Sequence, residues 1–350
     1  EPSFQPPGML FYDWQAFQDG KNWYFGIDKE TITPEVASYA SLPSIAMVQS
    51  TSMLWNLKDK VINAPRSYKK FCRRNYGNNA YSCYFDRPYN FWFAPAFSNV
   101  SVKYPFEYDA NVYGGDAGFD ILTGDWGKFG IFASYRNGDF DIKGKGKEYK
   151  VSGTADVDVN SYFGGLYYNL EAGHFWALAA AYGGVLKGDI ETDDKVRADT
   201  KGTQVGASLD LGYTFNLRDN WNIEPSVGLQ YTRVDFDETE DSNKVSAEYE
   251  ALGQVKASAG LKIEKYYPSR DGVSSVYFEP SVIKTYNSGN TVKLMDSLEL
   301  PTVEDDTYLR VNLGGSVQLS EGLKAFGTIS NTFNSDFRDT SINIGLNYAF

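Results

Sequence analysis

Apolar residues never run on for about 18 positions, so no helix of this chain is expected to span a membrane. That absence leaves a β-barrel open, because lumen-facing residues dilute the hydropathy, which averages -0.42 here. Histidine is almost missing. With His174 as the only one, a Ser-His or Asp-His hydrolase site is not expected, and His174 reads as an interfacial side chain beside Phe175 and Trp176 at a short turn. Cysteine is nearly as scarce: Cys72 and Cys83 flank a Gly77-Asn78-Asn79 turn, and two thiolates far in sequence from His174 do not complete a zinc shell, so no metal is expected. In an exported protein the pair is expected to be disulfide-linked, stabilising by about 2–3 kcal/mol for so short a loop. Basic residues are outnumbered, 33 Lys and Arg against 45 Asp and Glu, and the net charge of -12 argues against nucleic acid as a partner. Gly144-Lys145-Gly146-Lys147 lacks the spacing and the following helix of a phosphate loop, so no cofactor is expected. Without a catalytic set the chain does not read as an enzyme.

Aromatic residues are abundant instead: Tyr 26, Phe 23 and Trp 7 make up 16% of the 350 residues, a supply that aromatic girdles at two membrane interfaces would use. From about Tyr89 onward, twelve candidate strands fall near 89–103, 108–122, 126–138, 159–170, 174–187, 202–216, 221–235, 250–266, 275–287, 306–319, 322–333 and 339–350. Several alternate with period two. Val205, Ala207, Leu209, Leu211, Tyr213 and Phe215 oppose Gln204, Ser208, Asp210 and Thr214; Leu309, Val311, Leu313, Val317 and Leu319 oppose Arg310, Asn312, Ser316 and Gln318. The charged face is assigned to the lumen, because Lys or Arg on the lipid face at mid-bilayer would cost about 2–4 kcal/mol. Connections alternate between short, near 123–125, 171–173, 217–220 and 320–322, and long, near 139–158, 188–201, 236–249 and 288–305. Short turns belong to the periplasm and long loops to the outside, and an even strand count returns both barrel ends to the same side. The fold class is therefore all-β, a 12-stranded antiparallel transmembrane β-barrel.

In the last strand Ile342, Ile344, Leu346, Tyr348 and Phe350 alternate with Ser341, Asn343, Gly345, Asn347 and Ala349. This row of apolar residues, with aromatics at the final and third-from-last positions, resembles the C-terminal signal of bacterial outer-membrane barrels, which the barrel-assembly machinery reads. The sequence opens on Glu1-Pro2-Ser3 with no secretion signal, so export is inferred from the architecture.

Residues 1–32 differ from the barrel. Two aromatic runs, Phe11–Phe17 and Asn22–Ile27, are joined by Gln18-Asp19-Gly20-Lys21 and read as a hairpin, whose packing partner is expected to lie outside this chain because a lone hairpin is marginal in water. Between Pro43 and Pro65 no glycine or proline intervenes, which predicts a helix over 43–64, about 33 Å long. Polar residues lie all around it, among them Gln49, Ser52, Asn56 and Lys60, and such a surface suits a polar barrel cavity better than lipid or a dry core.

The hairpin strand Gly20-Lys21-Asn22-Trp23-Tyr24-Phe25, then Thr33-Pro34-Glu35-Val36, Tyr39-Ala40-Ser41-Leu42-Pro43 and Met53-Leu54-Trp55-Asn56-Leu57-Lys58-Asp59-Lys60-Val61, together resemble the junction of type V autotransporters, where a passenger end is followed by a helix and a barrel. The resemblance implies a passenger-end stub at 1–32, a linker and pore-spanning helix at 33–65, and a barrel at 89–350 with the helix inside its lumen. Residues 66–88, a periplasmic-side connection carrying the cysteines and the basic cluster Lys69-Lys70-Phe71-Cys72-Arg73-Arg74, depart from the short link usual there. The implied function is export of the chain's own passenger to the cell surface by a monomer in the bacterial outer membrane, assembled with periplasmic chaperones and plugged afterwards by the helix. Some relatives cut their passenger at a helix asparagine, but Asn56 and Asn63 lack the double-asparagine setting and read as plain helix residues. A plugged outer-membrane porin is the alternative reading.

Overall fold

A computed structural model describes residues 11–19, 21–63, 72–74, 81–83, 90–124, 127–143, 149–268, 273–295, 297–320 and 322–350. Among these, twelve long strands form the wall: β1 (Asn90–Val102), β2 (Tyr108–Gly124), β3 (Gly127–Ile142), β4 (Ala155–Ala172), β5 (Phe175–Thr192), β6 (Arg197–Tyr213), β7 (Trp221–Phe236), β8 (Leu252–Pro268), β9 (Val273–Ser288), β10 (Thr307–Ser320), β11 (Leu323–Phe333) and β12 (Phe337–Ala349). Each pairs antiparallel with its sequence neighbours, and β12 returns to β1 with Phe337 opposite Val102 and Ala349 opposite Asn90. The ring is closed, so no strand edge is left to satisfy in lipid. Both ends of the barrel segment lie at the end of the short turns, as the even count predicts. The turn between β4 and β5 is only Gly173-His174, with Gly173 at φ +66, a backbone conformation that costs glycine little.

Period two decides which side chains meet lipid. On β12, Ile342, Ile344, Leu346 and Tyr348 are all exposed on the outer face, with Phe350 beyond them, while Asn343, Asn347 and Ala349 are buried. On β6, Val205, Leu209 and Tyr213 point out and Gln204, Ser208 and Asp210 point in. Aromatics gather outside near the short turns, including Phe91, Phe175, Tyr213, Phe215, Trp221 and Tyr348, and His174 joins them with its ring 5.7 Å from that of Tyr213. A second set sits higher, where Phe97 meets Tyr113 at 5.1 Å and Tyr135 meets Tyr162 at 5.2 Å. Inside, large rings lie over glycines of the next strand: a Cβ on Gly118 would come within 2.2 Å of the Trp92 ring and one on Gly212 within 2.4 Å of Trp176.

The helix α1 (Pro34–Asn63) runs inside this ring. It starts at Pro34 rather than at Pro43, which lies within it. A proline in a helix interior costs roughly 3 kcal/mol in isolation. Here Val36, Ala37, Tyr39, Ala40, Ile45 and Ala46 are each 0% exposed, so burial on all sides outweighs the lost hydrogen bond. Ser38 and Ser41, equally buried, donate their hydroxyls to the carbonyls of Pro34 (2.9 Å) and Ala37 (2.8 Å), so neither is left unpaired.

Two stretches expected as loops are partly strand. Residues 188–192 and 197–201 extend β5 and β6, and 139–142 and 155–158 extend β3 and β4. In these extensions the polarity of the wall is inverted. Asp139 and Asp141 point out while Phe140 and Ile142 point in; Asp156 and Asp158 point out while Val157 and Val159 point in; Lys187, Asp189 and Glu191 point out while Leu186 and Ile190 point in. Outward charges are correct here because the wall has left the bilayer and meets water. The loop-end half of the barrel is thus a collar built like a soluble protein, with an apolar core around the first half of α1. A sheet of four short strands, Thr239–Glu240, Ser246–Tyr249, Thr291–Leu294 and Leu298–Pro301, adds Ala247, Val292, Leu294 and Leu300 to that core.

The hairpin Tyr12–Asp19/Asn22–Ile32 is present as expected, with Asp19 opposite Asn22. Its partner is part of this chain, contrary to expectation: Thr31 and Ile32 pair parallel with Lys150 and Val151 between β3 and β4, and Ser152 N donates to Ile32 O at 3.0 Å. Cys72–Arg74 and Tyr81–Cys83 form a short antiparallel pair with Cys72 directly opposite Cys83. Gly144–Lys147 lie outside the described residues.

Candidate functional site: the helix in the barrel lumen

The wall treats the two halves of α1 differently. Its first half sits in the collar, where two of its side chains reach polar partners: Tyr39 OH donates to Asp241 Oδ2 at 2.9 Å, and Ser44 Oγ pairs with Tyr108 OH at 2.9 Å. Asp241 is itself held, since its other oxygen accepts Asn243 N (2.8 Å) and Val245 N (3.0 Å), so the phenol ties the helix to an ordered rim loop.

From Gln49 onward the surroundings become polar. Gln49 accepts a hydrogen bond from Ser161 Oγ and donates to Val159 O at 3.1 Å; Gln204 Nε2 donates to Ser50 Oγ at 2.6 Å; Lys256 donates to Thr51 Oγ1. Asn56 lies between Asn343, whose Nδ2 donates to Asn56 Oδ1 at 3.1 Å, and Asp116 at 3.5 Å. Lys60 pairs with Asp116, which also takes both arms of Arg136, at 2.9 and 3.1 Å. Lys58 reaches Asp210 at 3.2 Å and Glu279 at 3.7 Å, and Arg310 Nη2 stands 4.0 Å from Asp59 Oδ2. Trp55 receives the Arg310 guanidinium 3.9 Å from its ring centroid, and Lys60 lies 5.0 Å from that of Trp92.

Of the four helix residues singled out from sequence, Gln49, Asn56 and Lys60 make these contacts and Ser52 is buried beside them. Thr51, Trp55, Lys58 and Asp59 make contacts as well, because the wall surrounds the helix, in keeping with the polar residues on all its sides. The charges of Lys58-Asp59-Lys60 were the available signal. Buried ion pairs are weak contributors to net stability, since desolvation offsets their attraction. Their effect is selective: helix Lys meets wall carboxylate and helix Asp meets wall Arg, so a shift of α1 by one residue would leave several charges unmatched. The outward row from Ile342 to Phe350 lies on the opposite surface of the wall. Among the described residues no group of three or more His, Cys, Asp or Glu is placed to hold a metal ion.

Solved structures share this architecture. The beta domain of the Bordetella autotransporter BrkA matches with a TM-score of 0.59 at 17% identity, covering 75% of this chain and 100% of that one. The translocator domain of NalP from Neisseria meningitidis matches with a TM-score of 0.58 at 16% identity, covering 75% and 89%. At these identities the likeness is one of fold. In sequence, the autotransporter adhesin/invasin TibA of Escherichia coli is 26% identical over 125 residues, and serotype-specific antigen 1 of Mannheimia haemolytica is 23% identical over 138. These segments span 36% and 38% of this chain but only 13% and 15% of those proteins. The model of the autotransporter beta-domain family matches residues 103–330, well over half of the chain, and the chain belongs to that family.

Proposed function

We propose that the chain is an outer-membrane translocator that carries its own N-terminal passenger through the barrel and keeps α1 in the lumen as a plug. The observation that carries this reading is the course of the polypeptide: the hairpin sits at the loop end, α1 passes down the lumen, and the barrel begins at Asn90 at the end of the short turns. In this reading the loop end faces the cell exterior and Tyr12–Ile32 is the last of the passenger. Docking of the hairpin and of the apolar half of α1 into the collar then favours outward movement, because it buries apolar surface that the chain exposes during passage. No nucleotide or other cofactor takes part, and the chain is not an enzyme. The row Ile342, Ile344, Leu346, Tyr348 and Phe350 is the surface that the barrel-assembly machinery would engage, after delivery by periplasmic chaperones and before that face meets lipid. A ring that closes within one chain supports a monomer. Deleting residues 34–63 should raise single-channel conductance in planar bilayers, and protease added to intact cells should reach the hairpin and whatever precedes it. Unchanged conductance, or a hairpin protected until the outer membrane is opened, removes the reading.

A further inference from the structure

The helix does not fill the lumen evenly. It packs closely on β2 to β5 and on β7, and leaves space along the wall from β8 to β12. Two cavities follow one another there. The upper, a cavity of about 80 Å³ open toward the loop end, lies between Thr51 on the helix and Thr285, Thr332 and Asp339 on the wall. The lower, about 30 Å³, lies between Asp59 and the wall residues Asp210, Glu279 and Asn312. Trp55 and Ile283 line both, so the Trp55 ring, with Arg310 stacked on it, divides one space into two.

Two features mark this side of the lumen as wet and negatively charged. Five buried polar atoms of lining residues have no hydrogen-bond partner among the described residues: Gln254 Oε1, Thr332 Oγ1 and Asp339 Oδ1 above Trp55, Asp59 Oδ2 and Arg310 Nη1 below it. Such atoms require water. Carboxylates also outnumber cations in each cavity: Glu304, Asp306, Asp336 and Asp339 against Lys256 above, Asp59, Asp210 and Glu279 against Lys58 and Arg310 below. A narrow polar passage with surplus negative charge admits small cations in preference to anions.

We propose that the plugged barrel keeps a cation-conducting bypass alongside α1, with Trp55 against Ile283 as its gate. The proposal rests on the reading of α1 as the resident plug. The test is the full chain in planar bilayers under a KCl gradient, with the 34–63 deletion measured in parallel. The native chain should pass a small current whose reversal potential favours K⁺. Trp55→Ala should raise conductance at least about twofold with K⁺ preference kept, since removing the ring joins the two cavities. Ile283→Trp should lower conductance below that of the native chain, and Asp339→Asn should reduce the preference for K⁺. A Trp55→Ala barrel that conducts like the native chain, or a native current favouring Cl⁻, overturns the bypass. Should Trp55→Ala not assemble, Ile283→Trp decides, and an unchanged current there overturns it as well. A deletion that leaves conductance unchanged overturns the plug itself, whereas a deletion that raises it while Trp55→Ala does not overturns only the bypass.

Discussion

Lys60 of the helix and Asp116 of the wall form an ion pair from which solvent is excluded, with the two side chains 0% and 2% exposed. Asp116 is shared, because Arg136 on β3 holds the same carboxylate at 2.9 Å. One wall carboxylate therefore neutralises two cations, one from the plug and one from the barrel.

The partners are not equivalent, and substitutions should show it. Asp116→Ala leaves both Lys60 and Arg136 buried without a counter-charge and should cost about 3–5 kcal/mol. Lys60→Met leaves the Asp116–Arg136 pair intact and should cost at most about 1–3 kcal/mol. Urea unfolding in detergent, followed by Trp fluorescence, compares the two. Equal losses would mean that Asp116 is not shared in solution.

Ile344 is the most exposed residue of the outward row on β12, at 64%, while Asn343 beside it faces the lumen at 3%. A lysine at 344 meets lipid and should cost about 2–4 kcal/mol if the site is near mid-bilayer. A lysine at 343 meets a polar lumen and should be tolerated better, though it competes with Asn56 for space. Heat-modifiable migration of the folded barrel after insertion into vesicles reads both. A reversed order of sensitivity would place the bilayer on the wrong face.

The collar makes the opposite demand one girdle higher. Asp139 stands opposite Asp158, Asp158 opposite Asp189, and Asp189 opposite Asp199, so four carboxylates lie in a row across the outer face. Like charges directly opposite repel, and at an exposed surface salt screens that repulsion. Amide exchange in β4 and β5 above Tyr162 should slow as NaCl is raised, and Asp158→Asn with Asp189→Asn should flatten the dependence. By contrast Val157→Asp, one residue from Asp158 but turned inward, puts a carboxylate into the dry core and should release the hairpin from the collar. Salt-independent exchange in the native chain would count against a water-facing acidic row.

The short strands at 72–74 and 81–83 put Cys72 and Cys83 in register. Alkylation without reductant, read by intact-mass spectrometry, should leave both residues unmodified in protein exported to an oxidising compartment. Two alkylated thiols would discard the disulfide. Replacing both by serine should cost about 2–3 kcal/mol, confined to this connection.

The barrel was legible because closure leaves a local trace. Several of the twelve strands carry a clean period-two pattern, and short turns such as Gly173-His174 punctuate them, so strand number and the existence of two faces can be read without knowing any pairing. Gln49, Asn56 and Lys60 could be nominated from the polar surface of their helix, but their partners Ser161, Asn343 and Asp116 lie 56 to 287 residues away and carry no mark that identifies them. The helix starts at Pro34 and not at Pro43 for a similar reason. Pro43 is a stop signal in water, and only burial of Val36 to Met47 on every side overrides it.

By itself the sequence determined that alternating residues form a sheet with two unlike faces, and that a polar, glycine-free segment precedes it as a helix. Which solvent each face meets was decided only in three dimensions. Val157 beside Asp158 and Leu209 beside Asp210 have the same alternation, yet the first valine points into a dry core and the second leucine into lipid. Periodicity records that two faces differ but not which is inside, and that assignment depends on how far each strand stands above the bilayer once the ring has closed around the helix.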